Sequence, residues 1–402
     1  MKILERKEHP ISRKNISEHA LNVLYRLTRK GHLAFLAGGG VRDLLIDKVP
    51  NDFDIATSAK PLTIRKAFRN SILIGRRFKL VHVIFGKKFI EVATFRKYSQ
   101  YNEDRENNSY GTPEEDAFCR DFTINSLFYN IKGFTVIDFV DGLKDIEAGI
   151  VRINGQPDVR LHEDPVRILR GARLAAQIGF DIHGETLAAM EKNVGYLAEA
   201  SESRMVYEVR KTFQCGAACE SIRRMFDIGI LKIVFPALSD DLSAAGNKTR
   251  EQTWAFLACL DRIAREQKFH PSFVLIFSTL LYPLVLKTIP EFWNRRYPLY
   301  KLCDRLKEHL NQWLSGLKIN AGERTRIFEV FMVQRRFPFI TRKSFSKKRF
   351  LRCEYFRDAL NLFEIYTMRE NRWEQVPPVW KKARKGKLPL QQLKDEVNKR
   401  KK

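Results

Sequence analysis

Leu36–Thr57 reads LAGGGVRDLLIDKVPNDFDIAT, and its spacing predicts strand, glycine turn, helix and strand in succession. His32–Ala37 makes the first, buried strand. Gly38, Gly39 and Gly40 turn the chain into a helix that begins near Val41. Asp52 and Asp54 follow on a second strand, as Asp-Phe-Asp. Residues two apart on a strand face the same side, so both carboxylates point together. Adjacent carboxylates repel unless a cation lies between them. A hard cation such as Mg²⁺ takes oxygen ligands and is usually completed by substrate phosphates. The glycine turn offers backbone N–H groups that suit phosphate, and Arg42 is a fork donor within reach of a triphosphate. Phe53, Ile55 and Ala56 mark the second strand as buried, which sets these acids apart from ordinary surface polarity. The competing reading gives Arg42 and Asp43 only a capping and solvating role. A phosphate cradle beside metal carboxylates points to nucleotide chemistry.

Outward from this stretch, 402 residues are too many for one core, so several domains are expected. Lys and Arg number 72 against 47 Asp and Glu, a net charge of +25. Such an excess fits a polyanionic partner, nucleic acid before an acidic membrane surface. The six cysteines, Cys119, Cys215, Cys219, Cys259, Cys303 and Cys353, show no paired metal spacing and read as free thiols in a reducing compartment. The opening MKILERKEHPISRK has no apolar core of a secretory signal. The longest apolar stretch, Phe273–Leu286, is interrupted by Ser278, Thr279 and Pro283 and falls short of a membrane span. These readings give a soluble, cytoplasmic protein, expected to be a monomer with no membrane contact.

Ser17–Lys30 predicts a helix stopped by Gly31. A further helix starts at Pro61. Leu80–Phe85 and Phe89–Phe95, joined by Gly86-Lys87-Lys88, predict a β-hairpin. Glu91 on its second strand is an acid among apolar neighbours and needs a partner: a metal, or Arg96 or Lys79. Arg76 and Arg77 could bind triphosphate or RNA backbone, or be solvated loop charge. Lys97–Gly111 has no periodicity and reads as a mobile loop. Thr112-Pro113-Glu114-Glu115 is a capping box opening a helix that carries EEDAFCRDFTINSLFYN. Asp121 stands there between Arg120 and an apolar run, an odd place for an acid unless it is paired or works. The region to about residue 140 is thus a small α/β domain on a mixed sheet, and the pattern is helical from Asp164 onward. In EDPVRILRGARLAAQIGF, Asp164 caps a helix with Pro165 at its first position. Arg167, Arg170 and Arg173 share one slowly drifting face, either a salt-bridged helix face or something sharper. A carboxylate (Asp164) beside a guanidinium (Arg167) matches the donor–acceptor edge of adenine or cytosine and repels that of guanine or uracil. Residues 341–402 hold nineteen Lys/Arg against seven Asp/Glu, with Phe345, Phe350, Tyr355, Phe356, Trp373 and Trp380 interleaved. Basic residues with stacking rings suit single-stranded nucleic acid, which makes Lys347, Lys348 and Arg349 candidate RNA contacts. The alternative is a helix whose rings are core. Lys381–Lys402 reads as a disordered basic tail.

GGGVRDLL, DFD, CRDFTIN and EDPVRILR, in this order, resemble the motifs of the class II nucleotidyltransferases, the bacterial poly(A) polymerases and CCA-adding enzymes. LIGRRFKLVHVIFG, IEVATFR, RMFDIGILKIVFP, FEVFMVQRRF and KKRFLRCEYFRDALNLFEIYTMRE resemble the poly(A) polymerase branch. The resemblance covers about Leu33–Arg369. It implies a catalytic head with a mixed β-sheet (residues 1–140), then all-α domains: a neck with the base-reading helix (141–205), a body (206–340), and a basic leg with tail (341–402). It implies ATP as substrate, Mg²⁺ as cofactor and single-stranded RNA 3′ ends as partner. By motif position, Asp52 and Asp54 are metal carboxylates and Asp121 is the third functional acid, with Glu91 its competitor. Gly38, Gly39 and Arg42 fall on the triphosphate side; Asp164 and Arg167, with Arg170 nearby, fall on the base side. One departure is Cys119-Arg120-Asp121 where the family has Arg-Arg-Asp. The function so implied is template-independent addition of AMP to RNA 3′ ends. A CCA-adding enzyme and a non-catalytic RNA-binding protein of this fold are the alternatives.

Overall fold

A computed structural model of the chain describes residues 1–74, 80–97, 110–244, 246–339, 346–389 and 393. Arg76, Arg77, Lys79, Phe345 and most of the loop expected at Lys97–Gly111 lie outside the described residues. The chain divides into two units, Met1–Arg167 with Ile178–Asn193, and Ile168–Gln177 with Val194–Lys402.

The first unit is built on eight strands. In chain order they are β1 (Lys2–Leu4), β2 (Ala34–Ala37), β3 (Asp54–Thr57), β4 (Ser71–Ile74), β5 (Leu80–Phe85), β6 (Lys88–Thr94), β7 (Phe128–Asn130) and β8 (Thr135–Asp138). They lie in the order β1-β8-β7-β2-β3-β6-β5-β4. The β3–β6 pair is parallel and the others antiparallel, the mixed sheet expected. Strand alternation separates two faces. Leu36, Ile55, Val81, Val92 and Tyr129 join the main core with Val23, Leu24 and Leu27 of helix α1 (Glu18–Arg29). Helix α2 (Gly39–Leu45) adds Val41 and Leu44, and α3 (Pro61–Ala67) adds Ile64. Phe35, Ala37, Ala56, Phe95 and Phe128 form a smaller core on the opposite face, under Ala117 of α4 (Pro113–Cys119). That second face is only partly covered, and it carries Asp54 and Glu91.

Local chemistry explains the elements that match expectation. Ser17 Oγ accepts the Ala20 N–H at 3.1 Å and opens α1, which ends before Gly31 at φ +83°. Thr112 and Glu115 form the capping box of α4. The predicted helix through EEDAFCRDFTINSLFYN, however, stops at Cys119. Arg120 is extended (φ −76°, ψ 162°), Thr123–Asn125 is a single tight turn, and Phe128 already belongs to β7. Phe122, Ile124, Leu127, Phe128 and Tyr129 are all buried, and at 3.6 residues per turn these positions would spread around a helix rather than share one face. Asp52 also departs from the reading: β3 begins at Asp54, and Asp52 is exposed just before it. The chain there runs against α2, where a Cβ on Gly40 would stand 3.2 Å from the Asp52 carbonyl oxygen. The first unit continues through α5 (Gly142–Ala148), β9 (Ile150–Val151), α6 (Pro157–Glu163), the ends of α7 (Val166–Ile178), β10 (Asp181–Ile182) and α8 (Gly184–Asn193).

The second unit is helical, from Glu202–Phe213 to Val376–Arg384. Among the described residues no helix is long and apolar enough to cross a membrane. Two expectations for the C-terminal region are corrected. Phe350, Phe356 and Trp380 are not a stacking platform. They are at most 2 % exposed and pack with one another and with Phe337 at centroid distances of 5.0–5.9 Å. Aromatic area on this scale is more stable in a core than in water. The basic tail does not begin at Lys381: that residue is in the last helix, and its Nζ donates to both carboxylate oxygens of buried Glu364 at 2.6 Å. The charges of Lys348 and Arg349 are exposed at the short helix Lys347–Leu351, and Lys347 is half-buried.

Candidate active site

The glycine turn is a backbone requirement. Gly38 has φ +76° and ψ −143°, open essentially to glycine alone. Its N–H donates to the Leu127 carbonyl at 3.2 Å, which ties the turn to the loop before β7. A Cβ at Gly38 would stand 3.1 Å from Nη1 of Arg120, and one at Gly39 3.5 Å from Nη2 of Arg42. The Val41 and Arg42 N–H groups close the first helical bonds on the Gly38 carbonyl. A helix has no acceptor of its own for the N–H groups ahead of these, those of Gly39 and Gly40.

Arg42 turns inward. It is buried, with Nε and Nη2 on Asp43 Oδ1 at 2.9 and 2.6 Å and Nη1 on Asn125 Oδ1 at 2.5 Å. Asn125 Nδ2 in turn donates to Asp121 Oδ1 at 3.1 Å, which also accepts the Phe122 N–H at 2.9 Å. Asp121 thus sits in a chain Arg42–Asn125–Asp121 that links the glycine turn to the CRDFTIN stretch. Asp54 stands on the open face of β3. It is in register with Glu91 of β6 on one side and Ala37 of β2 on the other. Paired residues on neighbouring strands project to one face, so Asp54 and Glu91 are side by side. Glu91 does not pair with Arg96. Its Oε2 lies 3.6 Å from His82 Nε2, and its side chain remains 41 % exposed. Among the described residues no three His, Cys, Asp or Glu side chains are gathered as a metal cage. Asp54 and Glu91 offer carboxylate oxygens only, the donors a hard divalent cation takes, and Mg²⁺ commonly uses one or two carboxylates plus substrate phosphates.

Arg96 goes to Asp116, a residue the sequence reading passed over. Asp116 is 2 % exposed and accepts Arg96 Nε at 2.7 Å and Arg120 Nη2 at 2.9 Å. Burial pushes this carboxyl up, but Arg120 and then Arg96 outweigh burial and hold it below its ordinary value. Cys119, where the family has arginine, points its Sγ at the Lys97 carbonyl at 3.6 Å, and burial raises its thiol pKa.

The base-side residues stand on the turn between α6 and α7. Asp164 closes α6, and its carbonyl accepts the Arg167 N–H at 3.1 Å. Arg167 Nη1 reaches the Arg160 carbonyl at 2.5 Å and Glu163 Oε2 at 3.2 Å. Burial, then the charge of Arg160, lowers the Arg167 pKa. Arg160 is the hub that sequence reading missed. Its Nε donates to the Asn154 carbonyl at 3.1 Å, Nη1 to Glu163 at 2.6 Å, and Nη2 to the carbonyls of Cys119 and Arg120 at 3.1 and 2.9 Å. Asn154 N–H closes on the Asp121 carbonyl at 2.9 Å. The base-side turn is therefore tied to the CRDFTIN stretch. Arg170 belongs to the second unit, where its Nε lies 3.5 Å from Glu208 Oε1.

A family profile described as "Poly A polymerase head domain" matches residues 34–152, and one described as "Probable RNA and SrmB- binding site of polymerase A" matches residues 179–242. The chain is 37 % identical over 392 residues to poly(A) polymerase I of Salmonella typhi, covering 93 % of this chain and 83 % of the relative. The chain belongs to the bacterial poly(A) polymerase family. It is also similar to a CCA-adding enzyme of Bacillus pumilus, 34 % identical over 226 residues, but over 56 % of each chain. In fold it resembles the crystal structure of Bacillus stearothermophilus CCA-adding enzyme in complex with CTP. There the TM-score is 0.68 at 22 % identity, over 92 % of this chain and 81 % of that one. A poly(A) polymerase head followed by helical domains is thus what the motif order and the sheet both describe.

Proposed function

We propose that this chain adds AMP from ATP to RNA 3′ ends without a template, by in-line attack of the 3′-hydroxyl on the α-phosphate. The observation that carries this reading is the register of Asp54 with Glu91 on the open sheet face, one strand from the glycine turn. Asp54 and Glu91, strand partners on that face, would hold Mg²⁺ together with Asp52, two residues before Asp54 in the chain, and the pairing of Glu91 with Asp54 favours Glu91 over Asp121 as the third carboxylate. A divalent cation held there would supply activation of the attacking hydroxyl and neutralisation of the charge on the pyrophosphate leaving group. The turn N–H groups meet the phosphates, and the Arg42–Asn125–Asp121 chain keeps the turn in place. Asp164 and Arg167 present an acceptor and a donor to the adenine edge, while Glu163 and Arg160 fix the arginine's angle. Catalysis is then placement and electrostatics. The four-part division into head, neck, body and leg, a cytoplasmic location and a monomeric state belong to the same reading. The purified protein is offered oligo(A) and a tRNA ending before CCA, with ATP and CTP both present. Long A tails on oligo(A) are expected. Addition of C-C-A to the tRNA alone would reverse the assignment.

A further inference from the structure

The face of the head sheet opposite the carboxylates carries two basic pockets, one on each side of α1. The first, about 660 Å³, is lined by Arg6, Arg13 and Lys14 with Tyr25, Tyr129 and Phe134. The second, about 500 Å³, is lined by Arg26, Arg29 and Arg69 with Asn22, Asn70 and Phe68. Among the described residues no carboxylate lines either pocket. All six cations are exposed, and four of them, Arg6, Arg13, Arg26 and Arg29, are held at defined places rather than left to sweep through solvent. Arg13 lies over the Phe134 ring at 4.8 Å and donates to the Tyr25 hydroxyl at 3.0 Å. Arg26 lies over Phe68 at 5.0 Å, Arg29 Nε donates to the Tyr25 carbonyl at 3.4 Å, and Arg6 Nη1 donates to the His9 carbonyl at 3.2 Å. Tyr25 thus stands between the two pockets. Residues 1–30 hold eight Lys/Arg against three Glu, and most of the cluster precedes the stretch matched by the head-domain profile.

We propose that this face is a second RNA-binding surface, on which the two pockets take successive phosphates of the strand being extended, away from its 3′ end. Unneutralised guanidinium forks recognise phosphate oxygens. Two such pockets separated by one helix, about 10 Å wide, suit a repeated anion on a flexible chain. Phe134 and Tyr25 give the sugar–base side an apolar wall. The surface reads charge and not sequence, as a growing homopolymer requires. This inference rests on the polyadenylation reading, and it assigns to the head a role in holding product RNA.

The test compares the full chain with a variant carrying R6Q, K14Q, R26Q and R69Q, none of which touches the carboxylate face. Binding of a short and a long oligo(A) is titrated at several salt concentrations, and extension of each is followed with ATP. The long oligomer should bind at least about tenfold more weakly to the variant. Its log–log salt slope should flatten by about 0.7 for each phosphate that the variant leaves unneutralised. The short oligomer, held at the 3′ site alone, should keep its affinity and its turnover. The single variant R26K, which keeps the charge, should behave like the parent. Equal weakening for both lengths, or an unchanged salt slope for the long one, overturns the proposal. Loss of affinity for inorganic phosphate or ADP without loss for long RNA overturns it too, in favour of a small-anion site. Failure of the parent to extend even the short oligomer would instead strike the polyadenylation reading, while the titrations would still decide the surface.

Discussion

Asp116→Asn tests the electrostatic framework of the head most directly. The carboxylate is buried and accepts Arg120 Nε and Nη2 at 3.1 and 2.9 Å, Arg96 Nε at 2.7 Å and the Arg96 N–H at 3.2 Å. Asparagine keeps the shape, removes the charge and turns an amide N–H toward one guanidinium. Removing one partner of a buried pair costs about 3–5 kcal/mol. Arg96 is 42 % exposed and can return to water, so its share is worth under about 1 kcal/mol. Arg120 is 15 % exposed and carries the rest. The expected loss for the head is therefore about 3 kcal/mol, the low end of that range. All five tryptophans, from Trp254 to Trp380, lie in the second unit, so fluorescence would follow the wrong part of the chain. Amide exchange in β2, β3 and β6 under increasing urea reports the head. The pH dependence has a definite sign. The folded carboxyl is held below its ordinary value of 3.8. Its contribution is thus full above that value and disappears as pH falls through the depressed folded value. The gap between parent and variant should be constant near neutrality and close in acid. A loss below about 1 kcal/mol, the size of an ordinary substitution, or a gap that persists below the folded value, would refute the pairing.

Gly38→Ala should cost about 1–3 kcal/mol in backbone strain and displace Arg120 from the glycine turn, raising KM for ATP; a variant with parental stability and KM would remove the conformational argument. Asp54→Asn and Glu91→Gln should each abolish nucleotide addition while RNA binding survives, whereas Asp121→Asn should mainly raise KM for ATP by loosening Asn125 and Arg42. Steady-state kinetics over a Mg²⁺ series distinguishes the two acids: a metal-dependent defect in the Asp121 variant and none in the Glu91 variant would reverse their roles. Asp164→Ala or Arg167→Ala should narrow the preference for ATP over GTP and UTP along with the rate; an unchanged preference in both would take this turn out of base reading.

The chain's own order of residues determined the local pieces. Period-2 and period-3.6 burial, Ser17 and Thr112 as caps, and Gly38–Gly40 before Val41 are short-range constraints, and each is legible because its cause lies within a few residues. The acids at Asp52, Asp54, Glu91 and Asp121 were visible as acids in unusual company. Only the tertiary structure shows which of them stand side by side. Glu91 is brought beside Asp54 by a parallel pairing across 37 residues of chain, and Arg96 is drawn to Asp116 rather than to Glu91 because of where β6 ends. The hub role of Arg160 was equally hidden: its partners are the carbonyls of Cys119, Arg120 and Asn154, and a backbone carbonyl has no signature in a sequence. The same limit left two readings of Phe350, Phe356 and Trp380 open, a stacking surface or a core. A ring between two lysines looks identical in one dimension whether it will stack on a base or bury against Phe337, because burial is set by what folds over the residue and not by its neighbours along the chain.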